Sequence, residues 1–426
     1  MAGRHDRELL RRAPGIGVSL LPLLLLSAGC ARISGQGVGP SATPTAAPAE
    51  ITVVEGGSPT PPLPFITDDR LVGLAQGPLA LGANAGAALS AYLSPTAVPS
   101  VDGALVAYNA WTYLVPPEPE KSWSQLGVGP DDPIGIPSIR VLDLATGKDT
   151  LLADGAYSVA WRADGALAYV QGAEREVRAA GPYLGRIVVR SSLDAPAEVW
   201  TPEPDRYIVY GWAGNVLLAY RMRQGEALDV LALTARGAGK TLGVDSEIVA
   251  IAPEGDRVLL QDREGGMYAL RLVDPATGAD LAILDLASAG ATLAGSPLLR
   301  ISYGGSWVGN LVVSEGVAPT ETGTATGIVV IEVGSDAVRL VQSLALPAQR
   351  FPMGAYDPRF TDASGSRFVA WATIPGAGGE ANGQLYVYLD CRLEATRCVQ
   401  GPPVTDRIFN PVYNPSRPST GVVPGG

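Results

Sequence analysis

Histidine is almost missing from this chain of 426 residues, and the one present is His5. An imidazole is the base or the ligand in Ser-His-Asp triads, Cys-His pairs and His-ligated metal sites, so a chain processed beyond residue 5 has none of them. The sequence also lacks a G-x-S-x-G elbow and a D-x-D-x-D calcium pattern. Gly239-Lys240-Thr241 lacks the earlier glycine of a phosphate loop. We therefore expect a protein that is not an enzyme and has no cofactor or metal.

Lysine is equally scarce, occurring only at positions 121, 148 and 240, and the formal net charge is -11. Binding to nucleic acid requires clustered Lys and Arg side chains, and no such run follows residue 12. The negative net charge and the missing basic cluster exclude a nucleic-acid partner. The negative charge suits either general solubility or an acidic docking face.

Long apolar runs are absent except near the N-terminus. Residues 1–12 are basic, and the apolar residues 13–29 are interrupted by Pro14 and Pro22. A transmembrane helix needs about 20 apolar residues, whereas the apolar part of a signal peptide is shorter and ends in small residues. Here Ser27, Ala28 and Gly29 precede Cys30, which indicates a signal peptide over residues 1–29.

The stretch LSAGC (26–30) resembles the lipobox of bacterial lipoproteins, although Ser27 stands where Leu is more usual. The resemblance implies cleavage between Gly29 and Cys30, lipid on the Cys30 sulfur, and an extracytoplasmic protein anchored to a bacterial membrane. Two acyl chains or more give stable anchoring. A plain secretory signal and an uncleaved anchor are the alternatives.

Apart from Cys30, the chain has only Cys391 and Cys398. They flank a predicted hairpin loop, so the two thiols can meet across it. A disulfide suits an oxidising exterior. Two separate buried thiols are the alternative.

Glycine and proline are abundant, with 52 and 36 residues, which favours an all-β fold. Residues 30–66 are rich in Pro, Ser, Thr and Ala and contain few large apolar side chains, so we expect a disordered tether. Residues 67–97 form a lead-in segment whose structure the sequence leaves open.

One pattern recurs from about residue 98: a turn centred on glycine, then a short apolar strand. The landmark glycines are Gly103, Gly165, Gly214, Gly255, Gly305 and Gly365. Their spacing of about 40–60 residues is typical of propeller blades. A second turn, ATGKD (145–149) or ATGAD (276–280), predicts positive φ at Gly147 and Gly278. Each unit therefore has the pattern of a four-stranded antiparallel blade.

The stretch WRADGALAY (161–169) and the following Thr-Gly turns resemble the repeat of TolB-type β-propellers. The resemblance implies a β-propeller over residues 98–418, followed by a disordered tail over 419–426. We expect six four-stranded blades, closed by a strand within residues 408–418. Seven blades result if residues 68–98 contribute strands.

Together these features predict a membrane-anchored extracytoplasmic lipoprotein whose propeller is a non-enzymatic binding or scaffolding module. The long loop within residues 110–137 is the candidate contact for an envelope protein partner, because long loops in compact folds are often functional. The alternative is a carboxylate-based enzyme acting on extracellular glycans in the propeller channel.

Overall fold

The structure is a computed structural model, and it describes residues 49–58, 65–66, 70–72, 74, 78–82, 97–100, 102–116, 122–179, 183–223, 228–264, 267–302, 304–320, 323–351, 354–375, 384–403 and 409–411. All of them belong to one compact unit, Thr45–Gly426. The expected signal peptide, Gly29, Cys30 and the tail 419–426 lie outside the described residues. Within the described part, no helix is long and apolar enough to cross a bilayer.

The first part of the chain forms short strands, two longer strands of 9 and 11 residues, and a 3-10 helix. Their bounds are β1 (Ala49–Glu50), β2 (Thr52–Glu55), β3 (Phe65–Ile66), β4 (Arg70–Val72), β5 (Leu79–Ala80), β6 (Ala97–Pro99), β7 (Leu105–Tyr113), the helix Trp123–Leu126, β8 (Pro133–Asp143) and β9 (Asp149–Asp154). The expected lead-in 67–97 thus contributes strands.

The middle of the chain continues as hairpins. Its strands are β10 (Ala156–Trp161), β11 (Leu167–Gly172), β12 (Val177–Arg178), β13 (Gly185–Arg190), β14 (Glu198–Val199), β15 (Tyr207–Ala213), β16 (Val216–Met222), β17 (Leu228–Ala235), β18 (Ala238–Gly243), β19 (Ser246–Ile251), β20 (Val258–Glu264), β21 (Met267–Val273) and β22 (Asp280–Asp285). The β17–β18 hairpin contains Lys240, so the phosphate-loop reading is also excluded by the structure.

The last part has longer strands and ends in a short one. These strands are β23 (Thr292–Leu293), β24 (Ser296–Pro297), β25 (Arg300–Ile301), β26 (Ser306–Val308), β27 (Leu311–Thr320), β28 (Gly323–Val333), β29 (Val338–Ala345), β30 (Ala355–Phe360), β31 (Arg367–Pro375), β32 (Gln384–Arg392), β33 (Arg397–Gln400) and β34 (Phe409–Pro411).

Seven of the sheets among the described residues have four or more strands, and we number them along the chain. Sheet 1 is β34-β3-β4-β5, sheet 2 is β6 to β9 with β12, sheet 3 is β10-β11-β13-β14, sheet 4 is β15 to β18, sheet 5 is β19 to β22, sheet 6 is β25 to β29 with β1, and sheet 7 is β30 to β33 with β2.

Consecutive sheets pack face to face. Buried apolar side chains fill each space from sheets 1 and 2 to sheets 6 and 7. Between sheets 3 and 4, for example, Val170 contacts a cluster that includes Val209 and Trp212. Antiparallel four-stranded sheets that follow one another in sequence and stack in this way define a β-propeller. The fold is therefore all-β, as the sequence predicts.

The landmark turns fall in sheets 2 to 7, one in each sheet. Five landmark glycines have φ between +57° and +90° in the first hairpin of their sheet: Gly103, Gly165, Gly214, Gly255 and Gly365. In sheet 6 the corresponding turn is at Gly309, with φ +56°, and not at Gly305. A Cβ on Gly305 would lie 2.8 Å from the Val313 carbonyl oxygen, so that glycine permits close backbone approach. Sheet 1 carries no landmark glycine and is additional to the six expected units.

Residues 49–55 correct the expected boundary of the tether. We call them the N-terminal strap: β1 pairs in parallel with β29 of sheet 6, and β2 with β33 of sheet 7. Ile51, between the two strands, is 2% exposed and packs in the core between those sheets. Apolar burial and edge pairing order this segment despite its Pro-, Ala- and Thr-rich surroundings. At the other terminus, β34 pairs with β3.

The first strands of sheets 3, 4, 5 and 7 are interrupted by register shifts. Two of the residues at these bulges have positive φ although neither is glycine: Ser158 at +56° and Asp357 at +54°. Such a conformation costs about 1–3 kcal/mol and persists only where surrounding contacts hold it.

Candidate functional site

The long loop between β7 and β8 is built over a small apolar cluster. Trp111, Val128, Ile134 and Val177 are buried together, and Trp123 packs against them. The helix Trp123–Leu126 begins with a capping box and ends at a left-handed glycine. These contacts fix the described part of the loop, which the sequence singled out as a partner contact.

The loop is also joined to the chain segment between β11 and β13, two strands of the neighbouring sheet 3. β12 pairs with the start of β8, with Val177 opposite Gly135, and the Ala179 N–H donates to the Asp132 carbonyl oxygen at 3.1 Å. Gly135 faces the Trp111 ring so closely that a Cβ would lie 2.2 Å from it. The segment between β11 and β13 therefore forms one surface with the β7–β8 loop.

A cavity of about 150 Å³ opens on this surface, and we call it the loop cleft. Its apolar lining comes from Pro137, Tyr157, Val177, Tyr183 and Leu184. Because β10 begins and β11 ends here, the cleft lies at the opposite end of the strands from the landmark turns. Leu184 is 38% exposed and gives the cleft an accessible apolar wall.

Two tyrosines form the floor of the cleft. The Tyr157 hydroxyl donates to the Tyr183 carbonyl oxygen at 3.0 Å, and the two rings meet edge to face with centroids 6.5 Å apart. Burial raises the pKa of Tyr157, and it raises the pKa of Tyr183 to about 12. Both phenols therefore stay neutral at physiological pH, and the floor is an uncharged aromatic surface.

The rim of the loop cleft carries charged side chains of both signs. Glu174, Glu176 and Arg178 line the cavity, and Arg175 and Asp154 are adjacent to lining residues in sequence. The Arg178 Nε donates to Glu174 at 3.0 Å, and the Arg175 Nε donates to Asp154 at 2.6 Å. The side chains of both pairs are well exposed, so water screens them and they can rearrange.

A second group of ionisable side chains lies between sheets 5, 6 and 7. Burial raises the pKa of Glu315 to about 7, against a hydrogen bond from Ser302 and the charge of Arg300. Burial likewise raises the pKa of Asp357, opposed by the charge of Arg359. Raised carboxyl pKa values are found at catalytic sites and also in buried structural networks.

The contacts of Arg359 favour the structural role. Its side chain is 2% exposed, pairs with Asp357 and donates to the Gly304 carbonyl oxygen of sheet 6. The pair therefore connects sheets 6 and 7. Glu247 has a similar place between sheets 5 and 6, where burial raises its pKa and Arg263 opposes the shift.

The sequence did not single out Glu315, but the repeat contains a signal for it. In each of sheets 2 to 6, the residue six positions after the turn glycine has a polar group. These residues are, in order, Asn109, Gln171, Tyr220, Gln261 and Glu315. Three of these side chains accept a hydrogen bond from a backbone N–H of the following sheet. The donors are the N–H groups of Ser158, Ile248 and Ile301. A polar residue within an apolar strand at a fixed repeat position thus indicates a contact between sheets.

Of the four cysteine and cleavage-site residues that the sequence singled out, two lie within the described part of the structure. Cys391 and Cys398 are joined by a disulfide across β32 and β33, with their Cα atoms 4.0 Å apart, and both are buried. Across the described ranges, no group of three or more His, Cys, Asp or Glu side chains could hold a metal ion. The lipidation and cleavage sites, Cys30 and Gly29, lie outside those ranges.

No protein-family model matches the chain, and no curated protein matches it. Among solved structures, TolB from Acinetobacter baumannii is similar with 15% identity and a TM-score of 0.38; the match covers 65% of this chain and 62% of TolB, so the chain spans less than two thirds of that protein. Oligogalacturonate lyase from Vibrio parahaemolyticus matches with 10% identity, a TM-score of 0.43, and coverage of 69% and 76%.

Prolyl oligopeptidase B from Galerina marginata matches with 14% identity and a TM-score of 0.44, over 74% of this chain and 42% of that enzyme. The β-propeller assignment rests on the sheet order and packing of this chain. The class that fold and site define is a β-propeller carrying a small loop cleft with a charged rim.

Proposed function

We propose that this chain is a membrane-anchored extracytoplasmic lipoprotein whose propeller is a non-enzymatic binding module, and that the loop cleft is its docking site for an envelope partner. The observation that best supports the docking site is the way the cleft is built. A capped helix and a buried aromatic cluster fix the loop, while Leu184 and a charged rim remain accessible.

The size of the cleft supports docking over catalysis on a polymer. Pockets for small-molecule ligands usually have volumes of about 300–1,000 Å³. A cavity of about 150 Å³ suits a single side chain. Side chains that enter such pockets at the centre of an interface often dominate its binding energy.

The anchor follows from the lipobox resemblance at Cys30. The strap shortens the expected tether, because its two strands pair with β29 and β33. Residues 31–48 reach at most about 60 Å when extended, enough to hold the propeller away from the membrane surface.

Two variants test the docking site. Leu184→Glu places a charge on the cleft wall, and Leu281→Glu is the matched control because Leu281, on β22, is 37% exposed. In cross-linking on whole cells, we expect the wild-type protein and Leu281→Glu to capture the same envelope protein and Leu184→Glu to lose it. Equal capture by both variants would exclude the cleft as the docking site.

The anchor has an independent test. Mass spectrometry of the purified native protein should show Cys30 as the first residue, carrying the mass of acyl groups. Cys30→Ala should move the protein from the detergent phase to the aqueous phase. An unmodified Cys30, or an N-terminus upstream of it, would overturn the assignment.

The carboxylate-based glycan enzyme remains the second candidate, supported by the raised pKa of Glu315. Its test is hydrolysis of envelope glycans by the wild-type protein and by Glu315→Gln. Activity that disappears in this variant, with its fold retained, would favour the enzyme over the binding module.

A further inference from the structure

We propose that the loop cleft binds a peptide segment of a partner protein in which an apolar side chain stands next to a lysine or arginine. This inference rests on the proposed docking function. It adds the chemistry of the partner, which follows from the two distinct parts of the cleft.

The floor and walls specify the apolar side chain. Tyr157 and Val177 are 3% and 8% exposed, and Tyr183 lies over them with its phenol neutral. Tyr157 already uses its hydroxyl to hold the Tyr183 carbonyl oxygen. An entering group therefore meets ring carbons and methyl groups, and a charged group would lose hydration there without gaining a partner.

The rim specifies the neighbouring cation. Glu176 lines the cavity with its side chain 43% exposed, and its nearest cation, Arg175, is 4.0 Å away and also bound to Asp154. Glu176 is thus the carboxylate best placed to accept a charge-assisted hydrogen bond from a partner. Glu174 and Asp154 are each paired with an arginine, so Glu176 is the carboxylate that would favour a basic segment over an acidic one.

Geometry places the two parts side by side. Glu176 and Val177 are consecutive and both line the cavity: Glu176 is half-exposed in the bend just before β12, and Val177 begins β12 and is 8% exposed. A partner needs its apolar and basic side chains close in sequence to reach both. A basic-apolar dipeptide within an extended segment meets this requirement.

The test uses fluorescein-labelled peptides and the full-length chain carrying Cys30→Ala. One peptide contains Lys-Phe in a Gly-Ser background, the second replaces Lys by Glu, and the third replaces Phe by Ser. Fluorescence anisotropy should show the Lys-Phe peptide binding at least about tenfold more tightly than either other peptide.

Matched variants then identify the site. Glu176→Gln should weaken Lys-Phe binding about two- to fivefold and reduce its salt dependence. The control is Glu254→Gln, an exposed glutamate in the turn between β19 and β20, which should leave binding unchanged. Thermal unfolding curves check that both variants are folded.

Equal binding of the Lys and Glu peptides, or equal weakening by the two glutamate variants, would overturn the proposal. So would the absence of binding by all three peptides. If Leu184→Glu still abolished capture of an envelope protein, the docking function would stand and only the peptide chemistry would be wrong. If the peptides failed to bind as expected and Leu184→Glu also still captured the envelope protein, both proposals would be refuted.

Discussion

The bulges at Ser158 and Asp357 both contain a non-glycine residue with positive φ but are held by different chemistry. Both interrupt the first strand of a sheet. At Ser158 the contacts are neutral: the N–H donates to Asn109 Oδ1 at 2.7 Å, and the hydroxyl donates to the Val209 carbonyl oxygen at 2.9 Å. At Asp357 the main contact is an ion pair with Arg359.

The same repeat position can therefore make a contact between sheets whose stability depends on pH in one place and not in another. Asn109 and Glu315 both lie six residues after their turn glycine, yet only Glu315 ionises. Buried hydrogen bonds between neutral groups contribute at any pH, whereas a buried carboxyl disfavours its own charged form. We therefore expect the interface of sheets 6 and 7 to respond to pH and that of sheets 2 and 3 not to respond through this contact.

The largest expected effect is at Arg359. Arg359→Met leaves the Asp357 carboxylate without its buried cation and the Gly304 carbonyl oxygen without this donor, which should cost about 3–5 kcal/mol in the free energy of unfolding. Urea denaturation measures the loss. Arg339→Met removes an exposed pair with Glu332 and should cost less than about 1 kcal/mol. Similar losses in both variants would contradict the assigned role of Arg359.

Asn109→Ala tests the neutral bulge. The buried Ser158 N–H loses its acceptor, and we expect a loss of about 1–3 kcal/mol that is the same at pH 5 and pH 8. The control is Asn310→Ala, because Asn310 is exposed and its bond to Glu332 lies at the surface. A loss for Asn109→Ala that changes with pH would remove the distinction between the two bulges.

Glu315→Gln gives the smallest expected effect and tests pH dependence directly. Burial raises the pKa of Glu315 in the folded state to about 7, above its ordinary value of 4.5, so the folded state binds this proton more tightly than the unfolded state does. This contribution to stability is fully present below pH about 4.5 and is lost as pH rises to about 7. Glu315→Gln should remove this decline, with a gain relative to wild type of about 1–2 kcal/mol between pH 5 and pH 8.

Thermal unfolding across this pH range is the measurement. Glu332→Gln, on the adjacent strand β28, is the control and should keep the wild-type slope. An unchanged slope in Glu315→Gln would show that another group controls the pH response.

Local turn chemistry made the propeller predictable from the sequence. A turn centred on glycine and followed by a short apolar strand is a short-range signal, and it correctly marked the first hairpins at Gly165 and Gly255, where the structure has positive φ. It failed in sheet 6, where YGGSWVGN offers several glycines and only the folded backbone distinguishes the turn at Gly309 from the close approach at Gly305.

Other features depend on contacts between distant residues and could not be found in this way. The loop cleft needs Tyr157 and Tyr183 to meet the β7–β8 loop, which only the stacking of sheets 2 and 3 brings about. The sequence did not predict the N-terminal strap, because its strands are ordered by pairing with edge strands that lie much later in the chain. Glu315 had a sequence signal, its repeat position, but its pKa depends on burial and on Arg300 and Asp357.

The strap has a consequence for the order in which the molecule assembles. Thr52 pairs with Arg397, so one of the earliest ordered strands receives its partner only after almost the whole propeller has been made. Non-local pairings of this kind slow folding, because a long loop must close before the contact forms. We therefore expect the last two sheets to complete their edges late in folding, as does sheet 1 when β34 pairs with β3.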